Sequence, residues 1–317
     1  MTAHRVSASP QTVHWGTFSA AIDPVLTIRS GDTVTLECVS GPADCMPPPG
    51  SGLVVPHALS AIHRAVPQRG PHILTGPVAV AGAEPGDMLE VRIDKIEFGA
   101  DWGFCGHRPL AGTLPEDFPD RFLSHIPIDR AANTCTLPWG MVLPLQPFFG
   151  VMGVAPKPSY GVLSTKEPRE HGGNLDNKEL GAGSTLFLPV FVDGANFSAG
   201  DGHGVQGDGE VCINALEICL TGTFTLTLHK GDGLDRPALR YPRGETTTHY
   251  ISMGMHEDLD VAMKTALREM IAFICSRTNL SRDEAYQLCS LAVDFHVTQT
   301  VNGEKGVHGM LQRTLLS

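Results

Sequence analysis

The chain has 317 residues, of which 42% are apolar, and its 34 acidic against 23 basic residues give a formal net charge of −11. This length and apolar content suffice for a substantial core, and the acidic balance leaves no basic stripe that could bind nucleic acid or an anionic membrane. The longest apolar stretch, residues 141–155, is interrupted by prolines and glycines and is too short to cross a bilayer as a helix, so we expect a globular protein with no nucleic-acid and no membrane partner.

The N-terminal segment and the cysteines both bear on the cellular compartment. Residues 1–16 contain no apolar core of signal-peptide length, which predicts a cytoplasmic protein. The eight cysteines are thinly spread and form no C-x-x-C pair, so we expect reduced, mostly buried thiols.

Short alternating apolar runs, separated by Gly, Pro and Asp turns, dominate the first 230 residues and indicate a β-rich fold. Residues 25–29 and 33–39 are strand-like and flank a three-residue turn, which predicts a hairpin. Residues 88–98 and 224–228 alternate in the same way, as half-buried strands do.

Two helices are predicted late in the chain. From Leu259 to Ile274 apolar residues recur every three or four positions, and Asp258 is a suitable N-cap. The second helix begins at Ser281 with a capping box that Glu284 completes.

The predicted architecture is a mainly β protein, a β-sandwich carrying a C-terminal helical hairpin. We expect a single domain over residues 1–317. Its β-rich part covers residues 1–250, the helical hairpin lies at about 258–293, and a final strand region covers residues 294–317.

The candidate chemistry lies in two glycine-rich segments, residues 171–176 (HGGNLD) and 200–210 (GDGHGVQGDGE). Glycines allow backbone conformations that bring distant side chains to one point. No Lys or Arg occurs between Lys178 and Lys230, whereas six carboxylates do. Converging carboxylates would raise one another's pKa unless a cation compensates. The G-x-G-x-x-G match at residues 202–207 is rejected as a dinucleotide site, because its neighbours are acidic and no helix follows.

A set of histidine and carboxylate side chains suits a divalent metal that activates water for amide hydrolysis. We expect Asp176, Asp201 and His203 as ligands and Glu210 as general base or acid. His171 is expected to be a ligand or an oxyanion stabiliser. Two weaker candidates for contact with the substrate are His72 and Asp208. A hydrogen-bonded turn remains the alternative for His171, and a plain turn for Asp208.

Two rival hypotheses remain open. One is an amidase with a cysteine nucleophile, Cys135 or Cys45, although neither has a basic neighbour in sequence to lower its pKa. The other is a β-sandwich that binds small polar ligands around a purely structural metal.

The chain resembles the acetamidase/formamidase family over nearly its whole length. The resemblance rests on residues 75–77 and 82–87, on residues 150–156 (GVMGVAP), and on the two glycine-rich segments. It implies a mainly β, metal-associated hydrolase of small linear amides such as acetamide and formamide. It also implies an oligomer, for which we expect a homodimer.

The family motif is intact at five positions of the candidate site. These are Asn174, Asp176, Asp201, His203 and Glu210, and the resemblance implies that Asn174 is catalytic. The expected metal is Zn²⁺, with Ca²⁺ left open at a second site.

Residues 44–52 and the histidines His57, His63 and His72 differ from the acidic stretch of simple acetamidases. A carbamate or a lactam therefore stays open as the substrate.

Overall fold

The structure is a computed structural model that describes residues 1–231 and 239–316. Within these residues the chain forms twenty strands and three α-helices. In chain order the strands are β1 (Ala3–Val6), β2 (Val13–Trp15), β3 (Thr17–Ser19), β4 (Leu26–Ile28), β5 (Asp32–Cys38), β6 (Ile73–Val80), β7 (Met88–His107), β8 (Phe122–Asp129), β9 (Thr134–Thr136), β10 (Val142–Pro144), β11 (Phe148–Gly153), β12 (Val162–Ser164), β13 (Gly172–Asn174), β14 (Thr185–Pro189), β15 (Phe197–His203), β16 (Glu217–His229), β17 (Arg243–Glu245), β18 (His249–His256), β19 (Val293–Gln299) and β20 (Lys305–Gln312). The helices are α1 (His57–Ala65), α2 (Leu259–Arg277) and α3 (Arg282–Ala292).

Eighteen of these strands belong to one hydrogen-bonded network, and β3 pairs separately with β12. The long strands β7 and β16 are antiparallel, and β5 pairs with β16 as well. The largest apolar core lies within this network. Phe149 of β11 and Phe197 of β15 both pack on Phe224 of β16, with ring centroids 5.4 and 5.5 Å apart. This packing holds β11, β15 and β16 together beneath the candidate site.

The predicted hairpin is wrong, although both of its strands exist. β4 runs parallel to β6, while β5 pairs with β1 and β16. The Asp32 carboxylate closes the turn by accepting the amide of Arg29, but it also accepts the amide of Thr2. Asp32 thus ties the turn to the start of β1, and β1 occupies an edge of β5.

The C-terminal helical hairpin is confirmed. The Asp258 carboxylate accepts the amides of Asp260 and Val261 at the start of α2, and the capping box of Ser281 and Glu284 begins α3. α2 packs on β18 and β20. The mainly β fold with C-terminal helices agrees with the prediction, whereas α1 was not predicted. Among the described helices, none combines the length and apolar character that a membrane span requires.

Candidate active site

Strand pairing brings the two glycine-rich segments together. β15 carries Asp201 and His203 and pairs with β11. β13 also pairs with β11, and Asp176 comes shortly after the end of β13, so it lies close to β15. His203 lies opposite Phe148 of β11 and opposite Glu217 of β16. Residues from three distant parts of the sequence therefore meet at the end of β15.

Four carboxylates surround the His203 imidazole. Its Nε2 lies 3.3 Å from Asp201 Oδ2 and 3.5 Å from Glu217 Oε2, and its Nδ1 lies 3.9 Å from Asp176 Oδ1. Donor atoms of Asp176, His203 and Glu210 lie within 4.8 Å of one another, and so do those of Asp201, His203 and Glu217. All five side chains are buried.

Burial and charge shift the pKa of every group in this cluster. Burial raises the pKa of Glu217 to about 7, and burial together with Asp176 raises that of Glu210 well above its usual range. Burial also raises the pKa of Asp176. For His203 burial acts in the opposite direction, but the charges of Glu217 and Asp201 outweigh it and raise the imidazole pKa. Such opposed shifts are typical of functional sites.

The residues fit a divalent cation. Asp176 Oδ1 and Glu210 Oε2 are buried and have no hydrogen-bond partner in residues 1–231 and 239–316. Gly150 forms the floor, because a Cβ there would lie 2.5 Å from Asp176 Oδ1 and 2.7 Å from both Asp201 Oδ2 and His203 Cε1. A mixed set of imidazole and carboxylate donors suits Zn²⁺ and similar ions.

Two amide side chains orient these donors. Gln206 Nε2 donates to the carbonyl oxygen of Asp176 at 2.7 Å, so Gln206 Oε1, 3.0 Å from His203 Nδ1, is left to accept the ring N–H. His203 Nε2 then keeps the lone pair that can bind a metal. Asn302 Nδ2 donates to Asp176 Oδ2 at 2.5 Å, which leaves Asp176 Oδ1 facing the cluster. Such supporting contacts are common around metal ligands.

The backbone at the site is strained at three carboxylates. Asp176, Asp201 and Glu210 have positive φ angles of 46°, 56° and 45°. Residues other than glycine rarely adopt this conformation, which costs of order 1–3 kcal/mol and is found most often at functional sites.

The cluster forms one end of a cavity of about 500 Å³. His72 lines it, with Nε2 3.7 Å from Asp201 Oδ2 and Nδ1 3.2 Å from the carbonyl oxygen of Thr165. Asn174 lines it too. Its Nδ2 donates to the carbonyl oxygen of Lys166 at 3.0 Å, and its buried Oδ1 has no partner among the described residues.

Two predicted site residues lie elsewhere. His171 is buried with its ring edge against Phe18, at a centroid distance of 4.9 Å, and burial lowers its pKa to about 4. Asp208 lies 2.9 Å from Lys178 Nζ and 3.4 Å from His296 Nδ1. Neither residue lines the 500 Å³ cavity, whereas Asp208 lines a neighbouring cavity.

The sequence reasoning missed Glu217, Gln206 and Asn302. Glu217 carried a usable signal, because it is an acid inside the apolar run of residues 215–220. Gln206 and Asn302 carry no comparable signal in the sequence. Their roles depend on contacts with Asp176 and His203 that spacing does not reveal.

Cys45 lines the same cavity, and Cys135 lines a neighbouring one. Burial raises the pKa of both thiols. A raised pKa leaves less thiolate at neutral pH, which argues against either cysteine as the nucleophile.

Known proteins similar to this chain include amidases. A formamidase of Methylophilus methylotrophus is 31% identical, and the match covers 54% of this chain and 54% of the relative. The chain thus spans about half the length of the curated relatives it matches. The crystal structure of an acetamidase from Bacillus halodurans is 33% identical, with a TM-score of 0.83 and 98% of each chain covered.

A gamma lactamase from Delftia acidovorans is a more distant structural neighbour. It is 25% identical with a TM-score of 0.64, and the match covers 96% of this chain and 88% of that chain. The acetamidase/formamidase family profile matches residues 4–164 and 161–308. The chain therefore belongs to the acetamidase/formamidase family.

Proposed function

We propose that this protein is an amidohydrolase that cleaves small linear amides to ammonia and a carboxylate with the help of a divalent metal, Zn²⁺ being the first candidate. The convergence of Asp176, Asp201 and His203 above Gly150, at the end of a cavity, carries the proposal. Family membership and the formamidase and acetamidase relatives support it.

In this proposal Asp176, Asp201 and His203 would hold the metal, and Glu217, which groups with Asp201 and His203, would be a further ligand. A divalent ion supplies Lewis acidity, which activates water and polarises a carbonyl oxygen near neutral pH. Asn302 and Gln206 keep the ligand atoms of Asp176 and His203 aimed at the cluster.

Glu210 is the proton carrier. Burial and the charge of Asp176 raise its pKa, as is found for carboxyl groups that serve as general acids or bases. It accepts a proton from the water that attacks the carbonyl carbon and delivers that proton to the amide nitrogen. The C–N bond then breaks to give ammonia and a carboxylic acid, which loses its proton to become the carboxylate product.

Asn174 positions the substrate amide. Its Nδ2 is used by the carbonyl oxygen of Lys166, so the unpartnered Oδ1 accepts an N–H of the substrate. His72 lines the same wall beside Asp201 and contacts the substrate from there.

A cyclic amide is the second candidate substrate. The structural similarity to a gamma lactamase favours a lactam over a carbamate. The cleavage chemistry at the carbonyl carbon is the same, but the product keeps its amine and no ammonia is released.

The deciding experiment measures ammonia release from formamide, acetamide and propionamide, with γ-butyrolactam opening followed separately and metal content determined on the same sample. We expect linear-amide turnover that a chelator removes and Zn²⁺ restores. Asp201→Asn should lose metal and activity, whereas exposed Asp193→Asn should lose neither. Full activity in metal-free protein would refute the metal proposal.

Two outcomes would favour the rival hypotheses. If Cys45→Ala or Cys135→Ala abolished turnover in a folded protein, a cysteine nucleophile would replace the metal in the proposal. If no amide is turned over and Glu210→Gln leaves acetamide affinity unchanged, the protein is a binding protein with a structural metal.

We extend the proposal to assembly and compartment. Exposed large apolar side chains in the segment from the end of β7 to β10 suit contact with a second copy in a homodimer; they are Leu110, Leu114, Phe118, Met141 and Val142. All eight cysteines are free, as suits the reducing cytoplasm. Light scattering of the purified protein tests the dimer.

A further inference from the structure

A second cavity, of about 440 Å³, adjoins the one above the carboxylate cluster. Most of its wall is apolar and comes from β8, from β9 and β10, and from the segment before β16. The large apolar side chains that line it include Phe122, Ile126, Leu137, Trp139, Leu143 and Leu216. None of the roles assigned so far to the cluster uses this cavity.

The two cavities share two lining residues, one of which is the proposed proton carrier. Glu210 and Asn214 line both of them. A substrate whose carbonyl carbon lies at the cluster therefore has an apolar chamber beside Glu210. The two groups attached to an amide carbonyl are the nitrogen and the acyl chain, and only the acyl chain gains from an apolar wall.

The cavity is larger than the acyl group of formamide or acetamide requires. An apolar cavity of about 150 Å³ is enough to bind benzene. The 440 Å³ here would leave most of the volume unused by acetamide or formamide. Filling it with apolar atoms removes both wall and ligand from water.

We propose that this second cavity is the acyl-binding pocket, and that it selects amides of long, branched or aromatic carboxylic acids over acetamide. The proposal rests on the amidase function and specifies its substrate class. The occupant is the uncharged acyl chain of the substrate, held next to Glu210 while the amide nitrogen stays on the side of Asn174.

The first experiment compares kcat/KM for formamide, acetamide, propionamide, butyramide, hexanamide and phenylacetamide on the metal-loaded protein. Beyond acetamide we expect a rise of about fourfold for each methylene buried, the factor that corresponds to about 0.8 kcal/mol. A flat or falling series would overturn the pocket while leaving the amidase intact. No turnover of any amide would instead refute the proposed function.

The second experiment fills the chamber. Ser124 lines it from β8, so Ser124→Phe places a ring inside. We expect the ratio of kcat/KM for hexanamide to that for acetamide to fall at least tenfold. Thr136→Phe is the matched control, because Thr136 is exposed and its neighbours Cys135 and Leu137 are the ones that line the cavity. This control should keep the wild-type ratio.

A third variant covers the case in which Ser124→Phe fails to fold. Leu137→Ala enlarges the chamber and should move the preference towards phenylacetamide relative to butyramide. The acyl pocket would be contradicted if folded Leu137→Ala protein kept the wild-type ratio of phenylacetamide to butyramide turnover. It would also be contradicted if Ser124→Phe and Thr136→Phe lowered the ratio of hexanamide to acetamide turnover equally.

Discussion

At the scale of single residues, the site depends on glycine as much as on its ligands. Gly150 leaves the space in which Asp176, Asp201 and His203 face one another. Gly172 and Gly173 have φ angles of 90° and 85°, which only glycine adopts readily, and they precede Asp176 closely in the chain. The glycine density of the two segments was therefore a sound signal.

Gly150→Ala tests this dependence. The added methyl group would collide with Asp176 Oδ1, so we expect metal content and amide turnover to fall at least tenfold while the fold persists. Gly181→Ala is the control, because a Cβ there would meet only the carbonyl oxygen of Pro147, at 3.6 Å. Wild-type metal content in Gly150→Ala would show that the floor is not needed.

His171 gives a prediction about pH. Burial lowers its pKa from 6.5 to about 4, so below pH 6.5 the unfolded chain takes up a proton that the folded chain refuses. The buried, neutral His171 therefore lowers the free energy of unfolding as pH falls from 6.5 to 4. We expect Tm of His171→Leu relative to wild type to rise over this interval, whereas exposed His57→Leu shows no such trend.

The activity of His171→Leu at pH 7.5 separates the two interpretations of this residue. Because the ring packs on Phe18, away from the cavity wall, we expect the variant to keep most of its turnover. A loss of several hundredfold with unchanged Tm would return His171 to the catalytic set.

The sequence predicted the ligands better than their surroundings. Asp176, Asp201 and His203 stand in unusual glycine-rich segments and converge as expected. Glu217 and Asn302 come from segments that are ordinary in sequence, and only strand pairing and loop approach bring them to the site. Local spacing contains no information on such contacts.

At the scale of elements, the turn between β19 and β20 serves the site. It carries Asn302, whose amide holds Asp176 from a distance of 126 residues in sequence. The C-terminal strand region thus orients a ligand that belongs to the middle of the chain.

Asn302→Ala should weaken metal binding about 10- to 100-fold, the usual effect of removing a group that supports a ligand. Turnover at saturating metal should fall much less, which distinguishes orientation from catalysis. Titration with Zn²⁺ against a competing chelator measures the affinity, and exposed Asn279→Ala is the control. An unchanged affinity would rule out the orienting role.

Element prediction succeeded where the signal was local. The caps at Asp258 and Ser281 involve residues two to three positions apart, and both helices begin where expected. The pairing of β4 with β6, rather than with β5, depends on residues about fifty positions away. α1 was missed because its nine residues show only a short apolar face.

Across the whole molecule, two sets of buried groups have opposite effects on folding stability as the pH changes. Burial raises the pKa of Glu217, Glu210 and Asp176, so their ionisation costs stability as pH rises above their unfolded values. Burial lowers the pKa of His14 and His308 to about 4, as it does for His171, which costs stability as pH falls below 6.5.

Binding of the proposed metal would offset the cost of ionising the buried carboxylates and would leave the cost of protonating the buried histidines unchanged. The raised carboxyl pKa values mean that protons compete with the metal at low pH, and Glu217 loses its proton only near pH 7. We expect Zn²⁺ to raise Tm more at pH 7.5 than at pH 5. At a hundredfold excess over Kd the stabilisation is about 2.7 kcal/mol. An equal rise in Tm at both pH values would contradict this linkage.

The single residue pair that joins β15 to β16, His203 opposite Glu217, has a consequence for biogenesis. A slip of one residue between these strands turns the imidazole and the carboxylate to opposite faces. In the proposed metal site, newly made chains would therefore have to complete long-range pairing before binding an ion. Cobalt uptake, followed by its visible absorbance during refolding, should accordingly lag behind the recovery of β-sheet circular dichroism.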